Sequence, residues 1–236
     1  MSKFRTLSII IPTFNESGTI GLILERITKA DTLGLKKQII VVDDGSTDKT
    51  VSLIKNDKRI FKLVVHRNNQ GKGAAIRSAL RHSTGDVILI QDADLEYDPN
   101  EYQLLLEPII SGKADVVYGS RFMGGRPHRV VFFWHALMNN FLTTLSNMFT
   151  NINLSDMETC YKAFRGDLLR QIAGDLVSNR FGFEPEITAR ISRIPKVRFY
   201  EVGISYYGRT YQDGKHIGWL DGLKAVFEII RFNLFH

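Results

Sequence analysis

The sequence predicts an α/β protein, either one domain or one domain with an elaboration, built on a mostly parallel sheet. Short β-branched runs alternate with helical patterns through the first half of the 236-residue chain. Apolar residues follow one another without a break at 9–11 and 39–42, which is typical of parallel strands covered on both faces. The composition is 44% hydrophobic and 24% charged, which supplies a core and excludes a disordered chain.

The first half contains five predicted strands with helices between them. The strands are predicted at residues 7–13, 38–43, 61–66, 86–91 and 115–119, and the helices at 19–30, 48–56, 74–82 and 100–111. Because ligands of doubly wound sheets bind at the carboxyl ends of the strands, polar residues that follow a strand are the first candidates for a site.

The second half predicts a helix across residues 130–152, a helix at 184–193, a strand near 197–206 and a last helix at 219–232. The helix at 130–152 has an apolar stripe on one side and Asn, Thr and Ser residues on the other. It is too polar for a membrane span. Two interpretations stay open for it. It lies in the plane of a membrane surface, anchored by Phe132, Phe133 and Trp134, or it is a core helix packed on the sheet.

The charge balance and the cysteine content bound the partners and the compartment. The net charge of +6 favours an anionic partner, whether a diphosphate, a lipid headgroup or a nucleic acid. The basic residues are scattered without a nucleic-acid-binding motif, so we expect no nucleic-acid partner. The single cysteine, Cys160, excludes an internal disulfide and favours a reducing, cytosol-facing environment.

Acidic residues follow the fourth predicted strand. Asp92 and Asp94 are alternate residues, which project to one side of an extended segment about 6–7 Å apart, and Glu96 is a third acid. Two such carboxylates hold a divalent ion from one side and leave its other positions to water or phosphate oxygens. The alternative is ordinary loop aspartates, which are common after strands.

The first two strands also end in polar residues. Residues 12–16 read Pro-Thr-Phe-Asn-Glu and residues 42–48 read Val-Asp-Asp-Gly-Ser-Thr-Asp. An acid there can accept hydrogen bonds from a base or a ribose, and either Asp43 or Asp44 suits this role, with Asp44 preferred. Asp48 beside Thr47 reads more simply as a helix cap.

Several motifs occur in the order found in family 2 glycosyltransferases. They are the segments at 12–16 and 42–48, Asn-Gln-Gly-Lys-Gly-Ala-Ala at 69–75, Asp-Ala-Asp at 92–94, and further matches at 118–122, 155–159, 207–209 and 214–215. Each motif is weak alone, but their shared order covers nearly the whole chain. The chain therefore resembles family 2 glycosyltransferases, and among them the dolichyl-phosphate mannose synthase-like branch that uses polyprenyl phosphates.

The resemblance implies a fold and an activity. The fold is GT-A, a Rossmann-like sheet with a C-terminal acceptor-side elaboration, with a nucleotide-sugar-binding half at 1–122 and an acceptor and lid half at 123–236. The activity is an inverting transfer of a hexose from a nucleotide-diphosphate sugar of GDP-mannose or UDP-glucose type, with Mg²⁺ or Mn²⁺. The resemblance also implies peripheral association with the cytoplasmic face of a membrane.

The resemblance assigns donor-binding residues. Pro12, Phe14 and Glu16 match the first nucleotide-contacting segment, and Asp44 matches an acid that contacts the base or ribose. Apart from the resemblance, we interpret the glycines around Lys72 as letting a helix N-terminus approach the donor, and Lys72 as a candidate phosphate neighbour. This segment lacks the spacing of a Walker phosphate loop or a dinucleotide fingerprint.

The metal and diphosphate residues match at the fourth strand. Asp92 and Asp94 match the metal–diphosphate motif, and Ala93 approaches through its backbone. Glu96 is a possible third metal ligand, although the lipid-phosphate enzymes commonly carry Gln there. Near the end of the chain, Arg209 and Lys215 match a basic pair that closes over the diphosphate, and their cations would offset the charge on the leaving group.

The acceptor side departs from the family pattern. Arg121 matches a residue that meets an acceptor phosphate, whereas His135 and Asn139 stand where the branch tends to show Arg and Ser. Asp156 matches the position of a general base, which a hydroxyl acceptor requires. With a phosphate acceptor no base is required, and Asp156 would orient the acceptor or the lid.

Other functions remain as alternatives. A family 2 enzyme acting on a hydroxyl of a cell-surface glycan has the same motifs. A sugar-1-phosphate nucleotidyltransferase shares acids at strand ends but is expected to carry a Gly-rich basic loop after the first strand. A non-catalytic nucleotide-sugar binder would bind the donor without transfer.

Overall fold

The computed structural model describes residues 4–125, 127–180, 182–208 and 219–235. Within these ranges, seven strands form one sheet in the order β3-β2-β1-β4-β6-β5-β7. The strands are β1 (Thr6–Thr13), β2 (Lys36–Asp43), β3 (Lys62–Val65), β4 (Val87–Ile90), β5 (Val116–Ser120), β6 (Lys162–Arg165) and β7 (Phe199–Gly203). The helices are α1 (Ile20–Lys29), α2 (Thr50–Ile54), α3 (Lys72–Leu80), α4 (Tyr102–Ile110, after a 3₁₀ turn at Pro99–Glu101), α5 (Phe133–Thr150), α6 (Gly166–Ile172), α7 (Phe183–Ser192) and α8 (Trp219–Leu234).

The α/β fold class and the predicted elements are confirmed, with bounds shifted by a few residues. The strand β6 and the helix α6 were not predicted. β6 pairs antiparallel with both β4 and β5, so the second half of the chain enters the sheet as well as packing on it. The run Lys162–Arg165 is short and begins with a lysine, so its pattern does not separate it from a loop.

Helices cover both faces of the sheet. Ile9 and Ile11 of β1 join a core with α1 and α4, while Ile10 joins a second core on the other face with α3, α6 and α7. Successive strand residues point to opposite faces, which explains why an unbroken apolar run is needed here. No helix within the described ranges combines the length and apolar character needed to cross a bilayer.

Helix α5 leaves most of its large apolar side chains exposed, unlike an ordinary core helix. Its buried residues are Leu142, Thr143 and Ser146. Its apolar residues are largely exposed, for example Trp134 at 73% and Met148 at 76%. Part of the polar side therefore packs inward together with Leu142, while much of the apolar stripe faces solvent, and contact of this stripe with a membrane remains a prediction.

Polar side chains of α5 form hydrogen bonds with the backbone of residues 154–157. Asn147 accepts a hydrogen bond from the Leu154 backbone N–H at 3.1 Å and donates to the Leu154 carbonyl at 2.8 Å. Thr143 Oγ1 accepts from the Met157 N–H at 3.2 Å. The polar stripe therefore satisfies the backbone of residues 154–157, and this buried irregular segment would otherwise carry unpaired groups.

Candidate functional site

The site lies at the carboxyl edge of the sheet. β1 is parallel to β2 on one side and to β4 on the other, so the chain changes direction in the sheet between β1 and β4, where α/β proteins bind ligands. β6 runs the other way, and Ile90 of β4 pairs with Lys162 of β6. Residues 156–161, which precede β6, therefore come to the same edge as residues 91–96, which follow β4.

Asp92 at this edge forms an ion pair with a lysine. Lys72, the first residue of α3, places Nζ 2.5 Å from Asp92 Oδ1 and 2.7 Å from Cys160 Sγ. Burial alone would lower the pKa of Lys72, but the Asp92 carboxylate and its neighbours hold that pKa well above its usual value. Burial, followed by Asp92, raises the pKa of Cys160 well above its usual value. The pair is thus an ammonium and a carboxylate beside a protonated thiol.

The glycines around Lys72 allow close contact between the start of α3 and a neighbouring loop. Gly71 has φ +104°, a conformation that favours glycine. A side chain at Gly73 would collide with the carbonyl oxygen of Ser178. These glycines let the start of α3 approach the loop at 178–179, and the Ala74 N–H donates to the Asn179 carbonyl at 3.2 Å. Approach of the helix to a donor remains a prediction.

The other two acids after β4 have distinct surroundings. Asp94 Oδ1 accepts from the Glu96 backbone N–H at 3.1 Å, across Leu95, whose φ of +66° is strained for a leucine. Glu96 Oε2 accepts from the Tyr206 hydroxyl at 3.0 Å. Ala93, between Asp92 and Asp94, is buried. Glu96 is therefore directed toward Tyr206 in this conformation.

The acids after β4 are of the chemical type that suits a divalent cation. Among the described residues, no group of three or more His, Cys, Asp or Glu side chains converges as metal ligands. Carboxylate oxygens are nonetheless the ligands that Mg²⁺ and Mn²⁺ prefer. The Lys72 ammonium on Asp92 indicates that this position already accommodates a positive charge.

The ends of β1 and β2 lie together, as predicted. The Asn15 backbone N–H donates to Ser46 Oγ at 2.8 Å, and the Thr47 N–H donates to Asn15 Oδ1 at 2.8 Å. Phe14 is 43% exposed beside this junction, whereas Pro12 is half-buried. These two loops thus form one wall of the edge.

Asp44 is buried and already engaged with protein groups. Its Oδ1 lies 2.7 Å from His66 Nδ1, and its Oδ2 accepts from the Gly71 N–H at 2.7 Å. The Gln70 N–H also donates to this carboxylate. In this conformation Asp44 fixes the segment before α3, and its predicted contact with a base or ribose is untested. Glu16, the third residue assigned to the nucleotide with Pro12 and Phe14, is half-buried and accepts from Thr19 Oγ1 at 2.6 Å.

A buried ion pair occupies the acceptor side. Arg121 follows β5, and its Nε and Nη2 donate to Asp156 Oδ2 and Oδ1 at 2.7 and 2.8 Å. Asp156 is fully buried, and the Arg121 side chain is 16% exposed. Asn139 of α5 accepts from Arg121 Nη2 at 3.1 Å and donates to Asp156 Oδ1 at 3.3 Å. The structure therefore brings three of the predicted residues into one network.

His135 belongs to the same helix as Asn139. His135 is one turn before Asn139 on α5 and makes an edge-to-face contact with Phe132, with ring centroids 6.0 Å apart. Arg209 and Lys215 lie outside the described residues.

Glu158 lies in the chain between Asp156, which binds Arg121, and Cys160, which contacts Lys72. Burial first and then the Glu184 carboxylate raise the pKa of Glu158 to about 8, although Lys162 and Arg121 oppose the shift. Within the described part of the chain, its buried Oε1 has no hydrogen-bond partner. Such an orphaned acceptor is uncommon in folded proteins and requires an explanation.

Sequence reasoning missed several polar residues of this edge. Lys162 and Glu184 are buried beside Glu158, and Glu201 of β7 accepts from the backbone N–H groups of Ser155 and Asp156. The available signal was a charged residue inside an otherwise apolar run, as in Tyr-Lys-Ala-Phe at 161–164.

Comparisons with known proteins agree with the resemblance seen in the sequence. The model of the family "Glycosyl transferase family 2" matches residues 8–173. The undecaprenyl-phosphate mannosyltransferase of Micrococcus luteus is 31% identical over 95% of this chain and 93% of that protein. The dolichol-phosphate mannosyltransferase of Pyrococcus furiosus is 26% identical over 96% of this chain and 64% of that protein.

A solved structure shares the fold. It is the glucosyl-3-phosphoglycerate synthase of Mycobacterium tuberculosis in complex with Mn²⁺, uridine diphosphate and glucosyl-3-phosphoglycerate. The TM-score is 0.70 with 18% sequence identity, and the match covers 97% of this chain and 80% of that chain.

Proposed function

This chain is a glycosyltransferase that belongs to family 2 and has the GT-A fold, and from that premise we propose that it moves a hexose, with inversion, from a nucleotide-diphosphate sugar to a lipid phosphate such as polyprenyl phosphate. Two similar proteins are named as mannosyltransferases for undecaprenyl phosphate and dolichol phosphate, which supports the acceptor class. A fold neighbour bound to Mn²⁺ and uridine diphosphate supports a metal and a nucleotide donor.

One observation carries the proposal. The same edge of the sheet has the Asp92–Lys72 pair at one end and the buried Arg121–Asp156 pair at the other. A transfer between two phosphorylated partners requires two places that bind phosphate, with the sugar between them. A guanidinium with fixed geometry suits a phosphate monoester.

The donor end is assigned by position. We assign the base and ribose to Pro12, Phe14, Glu16 and Asp44, and the diphosphate to Lys72 and the backbone at Ala93. Asp92 and Asp94 would hold Mg²⁺ or Mn²⁺, with Glu96 available as a third ligand if it leaves Tyr206. A bound divalent ion offsets the negative charge of the diphosphate leaving group. Arg209 and Lys215 are expected to add to that charge compensation.

The acceptor end explains how the reaction proceeds without a base. A phosphate acceptor is already anionic, so its oxygen attacks the anomeric carbon while the bond to the nucleoside diphosphate breaks on the opposite face. Arg121, together with Asn139 and His135, would bind the acceptor phosphate. Both oxygens of Asp156 are engaged by Arg121, which favours an orienting role over a base.

The test is a transfer assay with a matched variant. A panel that includes GDP-mannose and UDP-glucose is incubated with Mn²⁺, with and without polyprenyl phosphate. We expect transfer only with the lipid phosphate. Asp92→Asn should lower kcat/KM about 100-fold or more, since it weakens the stabilisation of the leaving group. Glu25→Gln, in the exposed pair with Lys29, should leave kcat/KM unchanged. Transfer to a glycan hydroxyl instead, or equal activity of the two variants, would contradict the proposal.

The exposed apolar stripe of α5 supports peripheral contact with a membrane. The single cysteine, Cys160, is consistent with the reducing environment at the cytoplasmic face of that membrane. Phe133 and Trp134 are 70% and 73% exposed, and the same helix carries Asn139, which contacts Arg121. A bilayer under this stripe would bring a lipid phosphate near Arg121, and aromatic side chains favour the interfacial region.

Liposome flotation tests this contact. The double variant Phe133→Ala/Trp134→Ala should lose binding to vesicles that contain polyprenyl phosphate. The control is Phe61→Ala, because Phe61 is comparably exposed, at 61%, just before the edge strand β3. Equal flotation of the folded double variant and the control would remove the membrane proposal.

A further inference from the structure

The segment from residue 156 to residue 160 connects the two phosphate-binding ends. At one end of the segment, Asp156 forms an ion pair with Arg121. At the other end, Cys160 Sγ lies 2.7 Å from Lys72 Nζ, and this ammonium group is bound to Asp92. If an acceptor phosphate binds at Arg121 and a donor diphosphate binds at Asp92, the transferred sugar lies alongside this segment. Glu158 is the middle residue of the segment.

One side-chain oxygen of Glu158 can accept a further hydrogen bond. Its Oε1 is buried without a hydrogen-bond partner among the described residues. The nearby Lys162 does not satisfy it, because Lys162 Nζ donates to the Thr159 carbonyl and lies 4.6 Å from the centre of the Tyr118 ring. A buried polar atom left in this state costs free energy unless a ligand satisfies it.

Hexose hydroxyls are the matching donors. A sugar presents neutral O–H groups at its rim, and the unpaired oxygen of a buried acid can accept from one of them whether or not the acid keeps its proton. A further cation is a poor match here, since Arg121 and Lys162 already flank the segment. We infer that Glu158 is a specificity-determining residue that accepts a hydrogen bond from a hydroxyl of the transferred hexose, an inference that rests on the proposed function.

A cycle of enzyme variants and deoxy donors tests the inference. The donors are the nucleotide sugar used by the wild-type enzyme and each of its monodeoxy analogues, and the proteins are the wild type, Glu158→Ala and the surface control Glu107→Gln. We expect one deoxy donor to lower kcat/KM of the wild type and of the control by about 5- to 150-fold, the cost of leaving a buried polar atom without its hydrogen bond. Glu158→Ala should lose a similar factor with the complete donor and less than about 3-fold more with that deoxy donor.

Two results would contradict the inference. If Glu158→Ala discriminates against every deoxy donor as the wild type does, Glu158 does not contact the sugar. A uniform loss with all donors would assign it a proton-transfer role and would also overturn the inference. Glu158→Gln serves if the alanine variant does not fold. If the wild type transfers from no nucleotide sugar, the proposed function fails, and the same cycle is then read from donor affinities by calorimetry.

Discussion

The Arg121–Asp156 pair allows a quantitative test of how the acceptor side is held together. The perturbation is Asp156→Asn, which removes the charge and keeps the shape of the side chain. Asp156 is fully buried, and it receives two bonds from the Arg121 guanidinium and one from the Arg121 backbone N–H at 3.0 Å. The substitution leaves a largely buried guanidinium without its counter-charge.

The expected loss of stability follows from that burial. Removing one partner of a buried ion pair costs about 3–5 kcal/mol, whereas replacing both partners by groups of similar volume is often close to neutral. We expect about 3 kcal/mol for Asp156→Asn, the lower end, because the amide oxygen keeps one hydrogen bond. The double variant Arg121→Met/Asp156→Asn should recover at least about 1.5 kcal/mol relative to the sum of the two single changes.

Urea unfolding followed by circular dichroism measures these free energies. Glu25→Gln is the control, since the side chains of Glu25 and its partner Lys29 are 52% and 73% exposed, and so exposed a pair contributes little to stability. Additivity of the two single changes within about 0.5 kcal/mol would refute the reasoning. It would mean that the guanidinium and the carboxylate do not depend on each other.

Three further outcomes are expected. Because the pKa of Glu158 is raised to about 8 by burial and by Glu184, the native state keeps a proton that the unfolded chain releases near pH 4.5. Wild-type stability should therefore fall, relative to Glu158→Gln, by on the order of 5 kcal/mol as the pH rises from 4.5 to above 8. Unfolding free energies of the two proteins that change in parallel with pH, measured in urea, would contradict this. Gly73→Ala should lower the melting temperature because its Cβ meets the backbone of Ser178, whereas Gly21→Ala, on an open face of α1, should raise stability by up to about 1 kcal/mol. Chelation with EDTA should abolish sugar transfer and Mn²⁺ should restore it, and activity that persists in EDTA would argue against a metal-dependent reaction.

Local sequence was sufficient for much of the fold. The apolar run at 9–11 and the helical spacing in 19–30 each gave the correct element, because residues close in the chain decide strand and helix periodicity. The acids after β4 were located at the carboxyl edge for the same reason, since a strand followed by a turn is a local pattern. The motif order gave the family, which the match over residues 8–173 shows.

Pairing across the sheet was beyond the sequence. β6 lies between β4 and β5, and this position brings Glu158 and Cys160 to the edge that holds Asp92. The partners in a sheet are chosen by contacts between distant parts of the chain, and a four-residue strand with a lysine carries almost no local signal. Asp44 is a similar case, since its neighbours His66 and Gly71 are 22 and 27 residues away.

The sequence by itself determined most of the strands and helices and the acids that follow β4, because each depends on the spacing of neighbouring residues. Only the tertiary structure decided that α5 turns Thr143 and Asn147 inward and Trp134 outward. Periodicity shows that a helix has two unlike faces, but it does not show which face the protein covers. Here the buried backbone of 154–157 required hydrogen-bond partners, and the polar face supplied them.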